Sequence, residues 1–295
     1  MKIAMLGPGL MGAQIACEYA LGGHAVVILA RRPDVARERI DSGYETALRH
    51  EIVSPDAVAA ARPRLRFASD IDEFGGSDII VESVVEDLDA KVAALIPAVA
   101  AAPGAIVASN TSSIPITAIG SAIGHSARTI GAHYWNPPLL MPLVEVIRGE
   151  ETSDATLATM VEVLPAIGKR PVVIDRDVDG FAWNRLQFAM LREAVWLVEN
   201  GVATPDTVDT IIRDGLARRW RYTGPFQTAA LGGSATFERI AANLWPVLSN
   251  AAELHDLRQW LDERPDTTCA LKANRDKGLG ADLRADRQAS ERGET

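Results

Sequence analysis

A chain of 295 residues exceeds one ordinary compact core and has room for two domains. Its 47% hydrophobic and 23% charged residues match a globular protein and leave out the disordered and fibrous classes. A net charge of −9 with a pI near 5.1 excludes a nucleic-acid surface, which needs clustered Lys and Arg, so an anionic ligand must meet a local basic patch.

The chain opens with an apolar strand pattern, "KIAML" (2–6), running into Gly7-Pro8-Gly9-Leu10-Met11-Gly12 and a helical "AQIACEYALGG". This apolar start imitates a signal peptide, but Gly7-Pro8-Gly9 breaks the run, and nowhere do about 18 apolar residues follow one another, so neither a leader nor a membrane span is expected. A strand feeding Gly-x-Gly-x-x-Gly at the start of a helix has the form of a dinucleotide site. The glycines allow a tight turn and close backbone approach to a pyrophosphate, which the helix N-terminus faces. Gly7, Gly9, Leu10, Met11 and Gly12 are therefore candidate cofactor contacts.

The second strand pattern, "AVVILA" (25–30), ends where an acidic side chain accepts the ribose hydroxyls of NAD. Here stand Ala30, Arg31 and Arg32, with no acid before Asp34. Arginines suit a 2′-phosphate, so the cofactor is expected to be NAD or NADP, with NADP preferred. The alternative is that both arginines only solvate a strand end.

Further strand patterns follow at "DIIVES" (78–83), "AIVASN" (105–110), "RTIGAHYW" (128–135), "LVEVI" (143–147) and "PVVIDRDVDGF" (171–181), most of them separated by helical stretches. This alternation predicts an α/β fold, a Rossmann-type mostly parallel sheet covered on both faces, over residues 1–178. The segment "GAHYWNPPLLMPLVEVI" (131–147) puts His133 before a proline-broken loop and a lone Glu145 inside an apolar strand. A buried carboxylate is costly unless paired, so His133 and Glu145 read as a structural tie or an acid/base pair.

From Phe181 the pattern turns helical, and no strand pattern recurs. In "FAWNRLQFAMLREAVWLVENG" the apolar residues cover most of the circumference, which predicts burial on several sides in an all-α domain (179–282) that also forms a homodimer interface. The tail 283–295 has few apolar residues and is expected to be frayed. Two distant cysteines, Cys17 and Cys269, form no disulfide framework, so a reducing cytoplasm is the expected compartment. The five histidines show no metal-ligand spacing, and no metal is expected.

Five ordered motifs carry a resemblance: "GPGLMG", "IIVESVVEDLDAK" (79–91), "ASNTSSIPI" (108–116), "HYWNPPLLMPLVEVI" (133–147) and "DGFAWNRLQFAMLREAVWLVENGVA" (179–203). Together they resemble the L-3-hydroxyacyl-CoA dehydrogenase superfamily over about residues 1 to 235. The resemblance implies that His133 takes the substrate hydroxyl proton, that Glu145 orients its imidazole, and that Ser112 and Asn184 contact the substrate oxygen. It places Asn136 beside the nicotinamide, and Glu86, Lys91, Asn110 and Ser112 at the cofactor. Blander roles stand beside these: Ser112 as a helix cap, Asn184 as a helix tie, Glu86 and Lys91 as an exposed charged face.

Other features are similar to the lambda-crystallin/L-gulonate dehydrogenase and carnitine dehydrogenase branch. Pro142 stands where many acyl-CoA members carry a lysine, the excursion "ARERIDSGYETALRHEIV" lacks lysine, and "KGLGADLRAD" replaces the superfamily's C-terminal ending. A CoA thioester, a carrier-protein thioester and a small free hydroxy acid all fit as substrate. The beta-hydroxyacid dehydrogenase family uses a catalytic lysine on its central helix, whereas the corresponding helix here carries Asn184 and Lys169 precedes a strand. A non-catalytic nucleotide-binding protein has no need of the His133 and Glu145 pair.

Overall fold

A computed structural model of the chain describes residues 1–253 and 268–293. It divides into two compact units, Met1–Ala182 with Thr268–Thr295, and Trp183–Thr267. The first unit is built on an eight-stranded sheet in the order β3-β2-β1-β4-β5-β6-β7-β8. Its strands are β1 (Lys2–Leu6), β2 (Ala25–Leu29), β3 (Leu65–Phe67), β4 (Ile79–Glu82), β5 (Ile106–Ser109), β6 (Thr129–Tyr134), β7 (Leu143–Arg148) and β8 (Arg170–Ile174). All neighbours run parallel except β6 and β7, which are antiparallel.

Alternation along the strands sends side chains to two separate cores. Ile3, Met5, Val26, Ile28, Ile79, Val81, Ala132 and Val146 face one side, with α1 (Leu10–Leu21), α2 (Pro33–Arg49), α3 (Pro55–Ala61) and, further along, α6 (Asp154–Ala166) supplying Ile15, Tyr44, Val58 and Met160. Ala4, Leu6, Val27, Ile80 and Val107 face the other, against Leu95 and Ala98 of α4 (Leu88–Ala101) and Ile119 of α5 (Ile116–Ala122). A sheet covered on both faces must be apolar on both, which is why its central strands read as unbroken hydrophobic runs. Side chains cap several helices: Ser54 accepts from the Ala57 N–H at 3.1 Å, Asp87 from Ala90 at 2.9 Å and Ser153 from Thr156 at 3.2 Å. Only Gly9 precedes α1, so no side chain closes its first turn.

The second unit is helical throughout its described residues, beginning with α7 (Trp183–Glu199). Thr204 caps the next helix with Pro205 in its first turn. Contrary to expectation, no residue of α7 is fully buried among the described residues, and its apolar side chains are half-buried or exposed.

The compact units divide at Ala182, and the segment from Thr268 is counted with the first of them. The tail expected to fray from 283 is helix as far as Glu291, part of a C-terminal helix Thr268–Glu291. It docks because Leu283 enters the first core with Leu279 beside it, while Arg284 and Arg287 donate to the carbonyls of His50 and Ile52. Residues 254–267 of the expected second domain and 294–295 of the expected tail lie outside the described residues.

Candidate active site

The strand β1 ends in a turn whose shape excludes side chains. Gly7 has φ 78°, and a Cβ there would lie 2.5 Å from the Ser83 carbonyl oxygen. A Cβ at Gly12 would fall inside contact distance of the Gly7 carbonyl oxygen. The Gly9 N–H donates to that same oxygen at 2.7 Å, closing the turn. The first amides of α1 are left without a side-chain cap, a donor set that fits a pyrophosphate. Leu10 is exposed and Met11 half-buried at this helix start. At the end of β2, Arg31 and Arg32 are both exposed and lead into α2 at Pro33.

Beyond β4 a chain of carboxylates organises two loops. Glu82, wholly buried, accepts from the Val84 N–H at 2.7 Å, Lys91 Nζ at 2.8 Å and Ser109 Oγ at 2.5 Å. Lys91, 1% exposed, also pairs with Glu86 at 3.3 Å, so it forms no exposed charged face. The Glu86 carboxylate accepts from Thr111 Oγ1 at 2.7 Å, from the N–H groups of Ser112 and Ser113, both at 2.8 Å, and from their hydroxyls at 3.1 and 2.9 Å. Burial alone pushes the Glu86 carboxyl up. The Thr111 hydroxyl, the Lys91 ammonium and the other donors outweigh burial and hold it at about 2. Glu86 thus shapes the Ser112 turn. Ser112 is not the cap of the helix that follows, because Pro115 stands at that position.

The strands meet at Asn110, whose Oδ1 accepts from the Tyr134 N–H at 2.9 Å and whose Nδ2 donates to Ser83 Oγ at 3.2 Å. One residue before Tyr134, at the end of β6, His133 lies directly opposite Glu145 in the antiparallel ladder. Their side chains meet with Nδ1 2.7 Å from Oε2, His133 being 6% and Glu145 2% exposed. A carboxylate only accepts, so Nδ1 carries the proton and Nε2 is the basic nitrogen. After Tyr134 the chain turns through a cis Asn136–Pro137 bond into a 3-10 turn at Pro138–Leu140.

Two features escaped the sequence reading. Phe181, fully buried, packs against the His133 ring with centroids 5.8 Å apart and the planes at 57°. Its φ of 49° follows Gly180 at 75°. A bulky residue is costly there, and the "DGF" sequence signals that only as a glycine beside an aromatic. Lys169, which in sequence merely precedes a strand, is buried with Glu18 of α1. The glycine turn, Asn110, Ser112, Glu86, Lys91, Asn136, His133 and Glu145 all lie in the first unit, whereas Asn184 belongs to the first turn of α7 in the second unit. Among the described residues no three His, Cys, Asp or Glu side chains are grouped to hold a metal, and no helix is long and apolar enough to cross a membrane.

Known proteins share this architecture. The 5-formyl-3-hydroxy-2-methylpyridine 4-carboxylate 5-dehydrogenase of Mesorhizobium japonicum is 37% identical over 257 residues, 84% of this chain and 81% of the relative. A solved structure of a 5-formyl-3-hydroxy-2-methylpyridine 4-carboxylic acid 5-dehydrogenase, described as an NAD+ dependent dismutase, superimposes with a TM-score of 0.85 at 32% identity, covering 96% of this chain and 97% of the other. A probable 3-hydroxybutyryl-CoA dehydrogenase of Deinococcus radiodurans is 37% identical over 228 residues, 73% of this chain and 78% of the relative. An L-carnitine dehydrogenase of Pseudomonas aeruginosa is 36% identical over 252 residues, 83% and 77% of the two chains. The family model of the 3-hydroxyacyl-CoA dehydrogenase NAD-binding domain matches residues 2–178, and that of its C-terminal domain matches residues 180–268. The two matches are consecutive and in family order, and so the chain belongs to the 3-hydroxyacyl-CoA dehydrogenase family, as an NAD(P)-dependent oxidoreductase acting on CH–OH groups.

Proposed function

We propose that this enzyme interconverts a 3-hydroxyacyl thioester and its 3-keto form, with His133 as the acid/base and Glu145 as its partner. The observation that carries this reading is the buried 2.7 Å contact between His133 Nδ1 and Glu145 Oε2 on a family dehydrogenase scaffold. In oxidation, His133 Nε2 takes the hydroxyl proton and the imidazole becomes positive. Glu145 stabilises that charge and fixes the ring. The bound dinucleotide supplies the hydride acceptor. Ser112 and Asn184 address the substrate oxygen, Asn136 lies by the nicotinamide, and Gly7 to Gly12, Asn110, Glu86 and Lys91 form the cofactor side. Arg31 and Arg32, in place of a ribose-binding acid, support a preference for NADP.

The thioester is supported by the 3-hydroxybutyryl-CoA relative. A second reading, a small free hydroxy acid, is favoured by Pro142 in the lysine position and by relatives named for carnitine and a pyridine carboxylate, which share more of the chain. The exposed Leu186, Phe188, Phe226, Leu231 and Trp245 of the second unit support a homodimer through that unit. Two cysteines without a disulfide support a cytoplasmic location.

The test is cofactor reduction, followed at the nicotinamide absorbance, with 3-hydroxybutyryl-CoA, 3-hydroxybutyrate, gulonate and carnitine, each against NAD and NADP. Turnover of the thioester alone supports the first reading, and turnover of a free acid alone replaces it with the second. His133→Ala is expected to lose about 100- to 10,000-fold in turnover while still binding cofactor. Full activity in that variant removes His133 from the chemistry.

A further inference from the structure

The connection from β6 to β7 carries Asn136 and the 3-10 turn at Pro138–Leu140, and it has no strand ladder to hold it. Leu139 and Leu140 seat it in the first core and the Arg170 N–H donates to the Pro142 carbonyl at 2.7 Å, while the side-chain bonds to its carbonyls come from Lys169, just before β8. Lys169 is 5% exposed, and its Nζ donates to the Pro138 carbonyl at 2.6 Å and the Met141 carbonyl at 2.9 Å. Its third partner is the Glu18 carboxylate on α1, 4% exposed. An ammonium has three N–H donors, and here each has an acceptor. The Leu139 N–H adds a weaker tie to α1, donating to Gln14 Oε1 at 3.4 Å.

The arrangement is expensive. Burial pushes the Glu18 carboxyl up and the Lys169 ammonium down, each against the pull of its partner. A buried ion pair is weak evidence for stability, since an apolar pair of similar volume often folds as well. An apolar pair, however, has nothing to offer two loop carbonyls. The donors of Lys169 grip the start of the 3-10 turn and the residue after it, and bind both to the helix whose opening turn forms the phosphate site.

We propose that Lys169 is a positioning residue. It latches the loop bearing Asn136 to α1, so that the nicotinamide side of the site keeps a fixed reach from the pyrophosphate turn. This rests on the reading of His133 as the base beside that loop. Glu18 balances the lysine charge and touches neither carbonyl. Turnover should therefore follow the two carbonyl bonds and be indifferent to the ion pair itself.

Four variants separate these roles: Lys169→Met, Glu18→Gln, the double variant Lys169→Met/Glu18→Met, and His133→Ala. Each is measured for kcat, cofactor Kd, Tm and amide exchange at Leu139, Leu140 and Met141. Both Lys169 variants are expected to lose at least about tenfold in kcat, since a misplacement of about 1 Å costs up to about 100-fold, with cofactor Kd unchanged and faster exchange in the loop. Glu18→Gln keeps an oxygen for the third N–H and is expected to retain kcat. The double variant removes both buried charges and serves as the reading should Lys169→Met alone fail to fold. Wild-type kcat in the double variant, or unchanged exchange in the loop, overturns the latch and leaves Lys169 as a charge-balancing residue. Full activity in His133→Ala instead sinks the acid/base assignment, a different result in a different variant.

Discussion

Replacing Glu145 by glutamine keeps the shape of the side chain and removes its charge. In the native site Glu145 Oε2 lies 2.7 Å from His133 Nδ1, at the short end of charge-assisted hydrogen bonds. With His133 6% and Glu145 2% exposed, water screens little of the interaction. A hydrogen bond to a charged group contributes about 1.5–3 kcal/mol. Only the part gained as the imidazole turns positive accelerates the reaction, so that range is a ceiling on the catalytic loss. At about 1.4 kcal/mol per factor of ten, kcat is expected to fall, by no more than about 10- to 150-fold. The assay is steady-state turnover at saturating substrate and cofactor, with cofactor Kd from a fluorescence titration and Tm as a check on folding. The reasoning is refuted if kcat stays at the wild-type value in a folded protein, or if a weakened cofactor Kd accounts for the whole loss.

Gly12→Ala forces a methyl into the Gly7 carbonyl oxygen and must push α1 off the turn, at a cost of about 1–3 kcal/mol in stability and with loss of dinucleotide binding; a wild-type Kd for the cofactor contradicts the turn geometry. Arg31→Ala should weaken NADP by about tenfold or more and leave NAD untouched, and equal Kd changes for both cofactors remove Arg31 from 2′-phosphate recognition. Glu86 predicts an acid-sensitive step. Its folded pKa of about 2 is below the unfolded value of about 4.3, so its stabilisation is whole above about 4.3, shrinks as pH falls, and is gone near 2. With its carboxylate about one-third exposed, that contribution is about 1–2 kcal/mol after solvent screening. Urea midpoints measured across this window should fall more steeply for the wild-type protein than for Glu86→Gln, and parallel curves would count against the assignment.

Much of the first unit was legible because its signals are local. "KIAML" into Gly7-x-Gly9-x-x-Gly12 fixes a strand, a turn and a helix without help from distant residues. The partnership of His133 with Glu145 was legible because a carboxylate in an apolar strand demands a partner, although the antiparallel turn of β7 that sets them opposite was not. β3 was missed because it is three residues long and has Arg66 at its centre, too short to show alternation. The C-terminal helix was missed because its composition is polar, while its docking depends on Leu283 and on two arginines meeting backbone carbonyls far away in sequence. Lys169 was read past for the same reason. A lysine before a strand looks solvated until the fold shows that its three partners come from α1 and from the loop after β6.

The reversed direction of β7 has a consequence for how the parts of the site depend on one another. Because His133 and Glu145 face each other across a hairpin ladder, their spacing is set by backbone pairing and not by the path of residues 135–142 between them. The spacing of His133 and Glu145 and the placement of the loop are then separate modules. A change in the loop, or in its tie to Lys169, alters what the loop positions and leaves the distance between the two side chains as the ladder sets it.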